Sequence, residues 1–104
     1  MDKRDAIKIA ESYIKIISRN YNLKQAILFG SFAKGTNNSE SDIDIAIVID
    51  HLDDVIQTQS DLMKLRRTID LRIEPHPFRS IDFTNGNPLV NEINKHGIRL
   101  KNVA

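Results

Sequence analysis

The sequence predicts an α/β (α+β) chain, with a small mixed β-sheet and helices packed mainly against one face. Three observations predict it. Residues 25–29 and 42–49 are short apolar runs, the second rich in β-branched residues, and both read as buried strands. A stretch with apolar residues spaced by three and four precedes the first run, and a softer one follows the second. The elements then alternate as helix, strand, short helix, strand, helix, strand, helix, strand, which calls for a layered packing.

Taken in order, the first helix spans residues 6–21, with Ala6, Ala10, Tyr13, Ile14, Ile17 and Tyr21 on one face and Asn20 and Asn22 ending it. Residues 25–29 form a strand that stops at Gly30. Ser31 to Gly35 is small and polar, a tight turn into a brief helix, and residues 36–41 are a polar loop. The strand 42–49 carries the strongest strand signal in the chain. A helix over 53–67 follows, with Asp53 as its N-cap and a polar middle. Residues 69–74 are a third strand, stopped by Pro75 and Pro77. Residues 78–87 read as loop, with a turn at Asn85-Gly86-Asn87. Pro88 to His96 is a short helix with Pro88 near its first position and Gly97 just past its end, and residues 98–100 add a last strand.

Composition narrows the function classes. A length of 104 residues suits one domain, read as residues 1–104. With 15 basic and 14 acidic residues the net charge is +1, so charge gives no global case for nucleic acid, while a local basic patch stays open. Cysteine is absent, which excludes disulfides, thiolate metal sites and a cysteine nucleophile. The N-terminal stretch is interrupted by Lys8, Glu11, Ser12 and Lys15, so it is neither a signal segment nor a membrane span, and a cytoplasmic location is expected.

Asp42 and Asp44 lie two apart at the start of a strand, so both leave the same face while Ile43, Ile45, Ile47 and Ile49 enter a core. Two adjacent anions repel unless a cation or water separates them, and hard oxygen donors at this spacing suit Mg²⁺ or Mn²⁺. A lone Asp-x-Asp is common as a pair of solvated strand-start residues. Here the following strand is too apolar for an exposed edge, which puts the pair at the rim of a packed sheet. In Gly30-Ser31 the glycine permits close backbone approach, and the serine opens a helical turn whose free N–H groups bind anions. Taken alone, the dipeptide is an ordinary strand-to-helix turn, and the spacing of a Walker A loop is missing. Lys34 faces either a phosphate or solvent.

The combination is more specific. Gly30-Ser31-Phe32-Ala33-Lys34-Gly35, then ten residues counted from Phe32 to Ser41, then Asp42-Ile43-Asp44, resembles the signature of the DNA polymerase β-type nucleotidyltransferase superfamily. In length and pattern the chain is similar to the minimal nucleotidyltransferase branch, including its antitoxins. The resemblance implies a nucleotidyltransferase-like fold, with Gly30, Ser31 and Lys34 at the nucleotide phosphates and Asp42 and Asp44 on the catalytic metals. It also implies a third carboxylate on a neighbouring strand. Asp70 is the best match, and Glu74 is the alternative, because Asp70, Arg72 and Glu74 alternate on one face of the expected strand 69–74. Arg72 pairing across that face is the plain reading of the same residues. Lys34 stands where arginine is commoner in the family, which keeps the charge and loses the two-pronged geometry. His76 and Arg79, which follow Pro75, could line a substrate entrance, and His76, between two prolines, reads as a loop residue rather than a ligand.

The activity implied is transfer of a nucleoside monophosphate, AMP from ATP as first choice, to an acceptor hydroxyl, with two Mg²⁺ ions (Mn²⁺ as substitute) held by the carboxylates. The minimal branch further implies a protein acceptor, a small helical HEPN-type toxin partner that some relatives modify with AMP. The rival from another class is a catalytically silent antitoxin that acts by contact. A third reading, an Asp-x-Asp sugar transferase, gives the upstream Gly-Ser turn no role.

Overall fold

The computed structural model describes residues 1–100, so the last four positions of the expected domain lie outside the described residues. The first helix, α1 (Lys3–Asn20), starts earlier than its apolar face suggests. Asp2 caps it by accepting from the Asp5 N–H at 2.9 Å, and the Asp5 side chain reaches back to the Asp2 N–H at 3.4 Å. Its inward face is Ala6, Ala10, Tyr13, Ile14 and Ile17.

Strand β1 (Leu23–Phe29) runs into the one-turn helix α2 (Ser31–Lys34), and strand β2 (Ile43–Ile49) follows the polar loop. Helix α3 (Val55–Leu65) is capped by Asp54, which accepts from the Gln57 N–H at 3.0 Å, so the cap is the residue after the expected Asp53. A 3₁₀ turn over Arg66–Thr68 then leads to strand β3 (Ile73–Arg79). After a second 3₁₀ turn, Ser80–Asp82, come helix α4 (Pro88–His96) and the short strand β4 (Ile98–Arg99). Asn87 caps α4 and Pro88 holds its first turn, as the composition of that segment predicts.

The sheet is mixed, in the order β3-β2-β1-β4. β1 pairs antiparallel with β2 and β4, and β2 pairs parallel with β3. Ile43, Ile45, Ile47 and Ile49 of β2 join Ala26 and Leu28, the α1 face, Phe32, Leu62 and Ile73 in the main core. The opposite face carries a smaller cluster of Ile27, Phe29, Ala46 and Ile93, flanked by Phe78 and Phe83. Helices α1, α2 and α3 thus contribute to one face and α4 to the other, which fits the predicted layering. Among the described residues no helix is long and apolar enough to cross a membrane.

The largest departure from the sequence reading is β3, expected over 69–74 and found at Ile73–Arg79. It runs through both prolines that were read as stops. β3 is an edge strand, and the Ile43 N–H bonds to the Arg72 carbonyl at 2.8 Å. That bond turns the even-numbered backbone groups of β3 toward β2 and the odd-numbered ones outward. Pro75 and Pro77 occupy outward positions, where a missing N–H breaks no ladder bond.

Candidate functional site

The site is built at one end of the β1–β2–β3 sheet. β1 ends at Phe29, and Gly30 follows with φ 77° and ψ −153°, a conformation that essentially only glycine adopts. Gly30 is the N-cap of α2 and no side chain caps that turn, so Ser31 opens the helix without capping it. The first N–H groups of α2 lack partners further back along the helix. The Gly30 backbone is also pressed against Asp44, since a methyl group on Gly30 would collide with Asp44 Oδ2.

Asp44 lies inside β2, opposite Phe29 of β1 and Glu74 of β3 in the strand register. Because β2 and β3 are parallel and in register, the Asp44 and Glu74 side chains leave the same face. Asp42 sits just before β2 and is exposed, while Asp44 and Glu74 are half-buried. Asp42, Asp44 and Glu74 are hard oxygen donors and their chemistry fits Mg²⁺ or Mn²⁺. Among the described residues, no three carboxylate or imidazole groups stand close enough together to form a finished metal cluster.

Asp70 is placed differently from its expected seat on a strand. It lies in the turn before β3, and its carboxylate is taken up by Arg72. Oδ1 accepts from the Arg72 N–H and from Nε, both at 2.9 Å, and Oδ2 accepts from Nη2 at 2.7 Å. These bonds from Arg72 hold the Asp70 carboxyl below the usual carboxylate range. The pairing is the plain reading that the sequence allowed for these two residues. Glu74, not Asp70, holds the register position beside Asp44.

Two further side chains frame the site. Lys34, at the end of α2, pairs with Glu92 of α4, and that ammonium lowers the Glu92 carboxyl. His76 is a strand residue rather than a loop residue. Its Nε2 lies 3.1 Å from Asp44 Oδ1, and its ring packs edge-on against Phe29 with centroids 4.9 Å apart. The sequence read His76 as a loop residue because the prolines hid the strand. The alternation Glu74-His76-Phe78 was the available signal. Beyond His76 opens a groove of about 390 Å³, lined mainly by Val55, Ile56, Pro77, Phe78 and Leu89, with Gln59 as a polar group. A second hollow, of about 320 Å³, lies at the other end of the β2–β3 pair, around His51 and Arg79.

The sequence profile of the family described as polymerase beta nucleotidyltransferase matches residues 11–102, most of the chain. The chain belongs to this nucleotidyltransferase family. Among solved structures, a proposed nucleotidyltransferase from Sulfolobus solfataricus superposes with a TM-score of 0.68 at 19% identity, covering 93% of this chain and 80% of that one. At that identity the likeness concerns the fold. A chain in a crystal structure of a toxin–antitoxin with AMP-PNP superposes with a TM-score of 0.59 at 26% identity, covering 86% of this chain and 70% of that one. No curated protein matches the sequence. Nucleotidyltransferases of this family generally act on a nucleoside triphosphate with a divalent metal, and the fold built on this mixed sheet is what the chain shares with the neighbours.

Proposed function

We propose that this nucleotidyltransferase domain moves a nucleoside monophosphate, AMP from ATP as first choice, to a hydroxyl on a partner protein, with Asp42, Asp44 and Glu74 holding the divalent metals. The observation that carries this reading is the pairing of Asp44 with Glu74 beside the Gly30 turn. It sets the backbone at the start of α2 and two carboxylates side by side at one end of the sheet. Glu74 takes the role expected of Asp70, because Arg72 already occupies both Asp70 oxygens.

Bound Mg²⁺ would neutralise the triphosphate and make the acceptor hydroxyl easier to deprotonate. The chain's own residues supply position and charge. Gly30 and Ser31 would bring the N–H groups at the start of α2 to the phosphates. Lys34 would exchange Glu92 for a phosphate oxygen as the nucleotide arrives. An acceptor oxygen would bond to the α-phosphorus as the bond to the bridging oxygen breaks, and pyrophosphate would leave with the electron pair. Glu74, on the β3 side of Asp44, would receive the acceptor proton. Catalysis would rest on positioning and charge stabilisation, with no covalent enzyme intermediate.

A protein acceptor is supported by the neighbour solved as a toxin–antitoxin with AMP-PNP. The expected HEPN-type partner follows from the resemblance to the minimal branch, and a small molecule or RNA end is the second choice of acceptor. A second function, an antitoxin acting by contact alone, draws support from the same toxin–antitoxin neighbour.

The deciding experiment uses ATP labelled on either the α- or the γ-phosphate, in lysate of the source organism with Mg²⁺. Label from the α-position on a macromolecule, lost in Asp44→Asn with the circular dichroism spectrum unchanged, is the expected outcome. Equal labelling by Asp44→Asn would reject the metal assignment. Partner capture that survives loss of both Asp42 and Asp44, with no transfer by the wild type, would establish the contact mode.

A further inference from the structure

We propose that His76 is a positioning residue for Asp44, fixing the carboxylate in the orientation in which it receives a metal ion. The inference rests on the metal-carboxylate reading above. Asp44 is a side chain with two oxygens and a soft terminal torsion, so on its own it samples many orientations. Here both oxygens are constrained. Oδ1 lies 3.1 Å from His76 Nε2, and Oδ2 occupies space that a Cβ on Gly30 would fill.

The surroundings of His76 are arranged for this contact. Directly opposite it in the register is Ala46, whose methyl side chain leaves the diagonal path to Asp44 open. Phe29, opposite Asp44 on β1, meets the imidazole ring edge-on at an interplanar angle of 62°. Pro75 and Pro77 on either side restrict the backbone that carries the ring. A neutral imidazole protonated at Nε2 donates one hydrogen bond to Oδ1 and leaves the remaining carboxylate lone pairs free for metal. Hydrogen-bond partners of metal-ligating groups orient those ligands, and losing one costs about 10–100-fold in metal affinity. His76 supplies that contact from β3, the strand that also carries Glu74.

The test measures Mn²⁺ binding directly, by the loss of the free-ion electron paramagnetic resonance signal as protein is added. Wild type is compared with His76→Phe, which keeps an aromatic ring against Phe29 and removes the donor, and with His76→Gln, whose amide N–H reaches as far as Nε2. His76→Phe is expected to bind Mn²⁺ about 10–100-fold more weakly, and His76→Gln to recover most of that loss. Circular dichroism should be the same for all three. Equal affinity in wild type and His76→Phe would overturn the positioning role and leave the metal site standing. Direct ¹⁴N coupling to Mn²⁺ in the wild type would overturn it in favour of imidazole as a ligand. A wild type that binds no Mn²⁺ would remove the metal-carboxylate reading, and this inference with it.

Discussion

Single residues decide the chemistry here, and Asp70 and Glu74 separate most cleanly. Asp70 serves the turn, so Asp70→Asn should leave transfer intact and reduce stability by about 1 kcal/mol, since half-exposed Arg72 is a weak partner. Glu74→Gln should do the reverse, reducing transfer to background with an unchanged urea midpoint. The Asp70 carboxyl is depressed in the folded chain, so its contribution is fully present above the ordinary carboxylate pKa, about 3.9. That contribution is lost as pH falls through the folded value. Urea midpoints measured from neutral pH into strong acid should therefore fall more steeply for wild type than for Asp70→Asn. Gly30→Ala combines both kinds of effect. It forces a side chain into a glycine-only conformation and into Asp44 Oδ2, so it should cost about 1–3 kcal/mol by thermal melting and also abolish transfer.

At the scale of elements, the long-range pinning of α1 to α3 includes one hydroxyl. The buried Tyr13 O–H donates to the Leu62 carbonyl at 2.7 Å, and burial pushes the phenol pKa far up. Tyr13→Phe should lower stability by about 1 kcal/mol, read from the denaturant midpoint, with no change in transfer. The helices and the first two strands were legible in the sequence because each buries one periodic face, as Ala6-Ala10-Tyr13-Ile17 and Ile43-Ile45-Ile47 do. β3 was not legible. Its prolines are strand-breaking in the middle of a sheet and harmless on the outward side of an edge, and a local reading cannot tell which side of a strand lies at an edge. Ending the strand at Glu74 hid its register, so Glu74 stood only as the alternative to Asp70 and His76 read as loop. The Gly30-Ser31 turn and the Asp42-Ile43-Asp44 strand start survived because their chemistry is local to a few residues.

For the molecule as a whole, the two ends of the β2–β3 pair should be separable. The carboxylates gather where the strands begin, and His51 lies beyond the far end of β2 in the left-handed region at φ 59°. Replacing it with glycine relieves a backbone cost that outweighs the extra freedom of the unfolded chain. His51→Gly should raise stability by about 0.5–1 kcal/mol while α-label transfer stays at the wild-type rate. Slower transfer in that variant would mean that the far hollow takes part in the reaction.

The outward-facing prolines of β3 have a wider consequence. A free sheet edge normally offers a row of donors and acceptors on which another chain can crystallise into an extra strand. On β3 two of the outward donors are absent, so that border is a poor template for amyloid-like stacking or for a peptide joining the sheet. A partner of this domain would then be recognised through side-chain surfaces, and the carboxylate end would stay uncovered by sheet growth from that side.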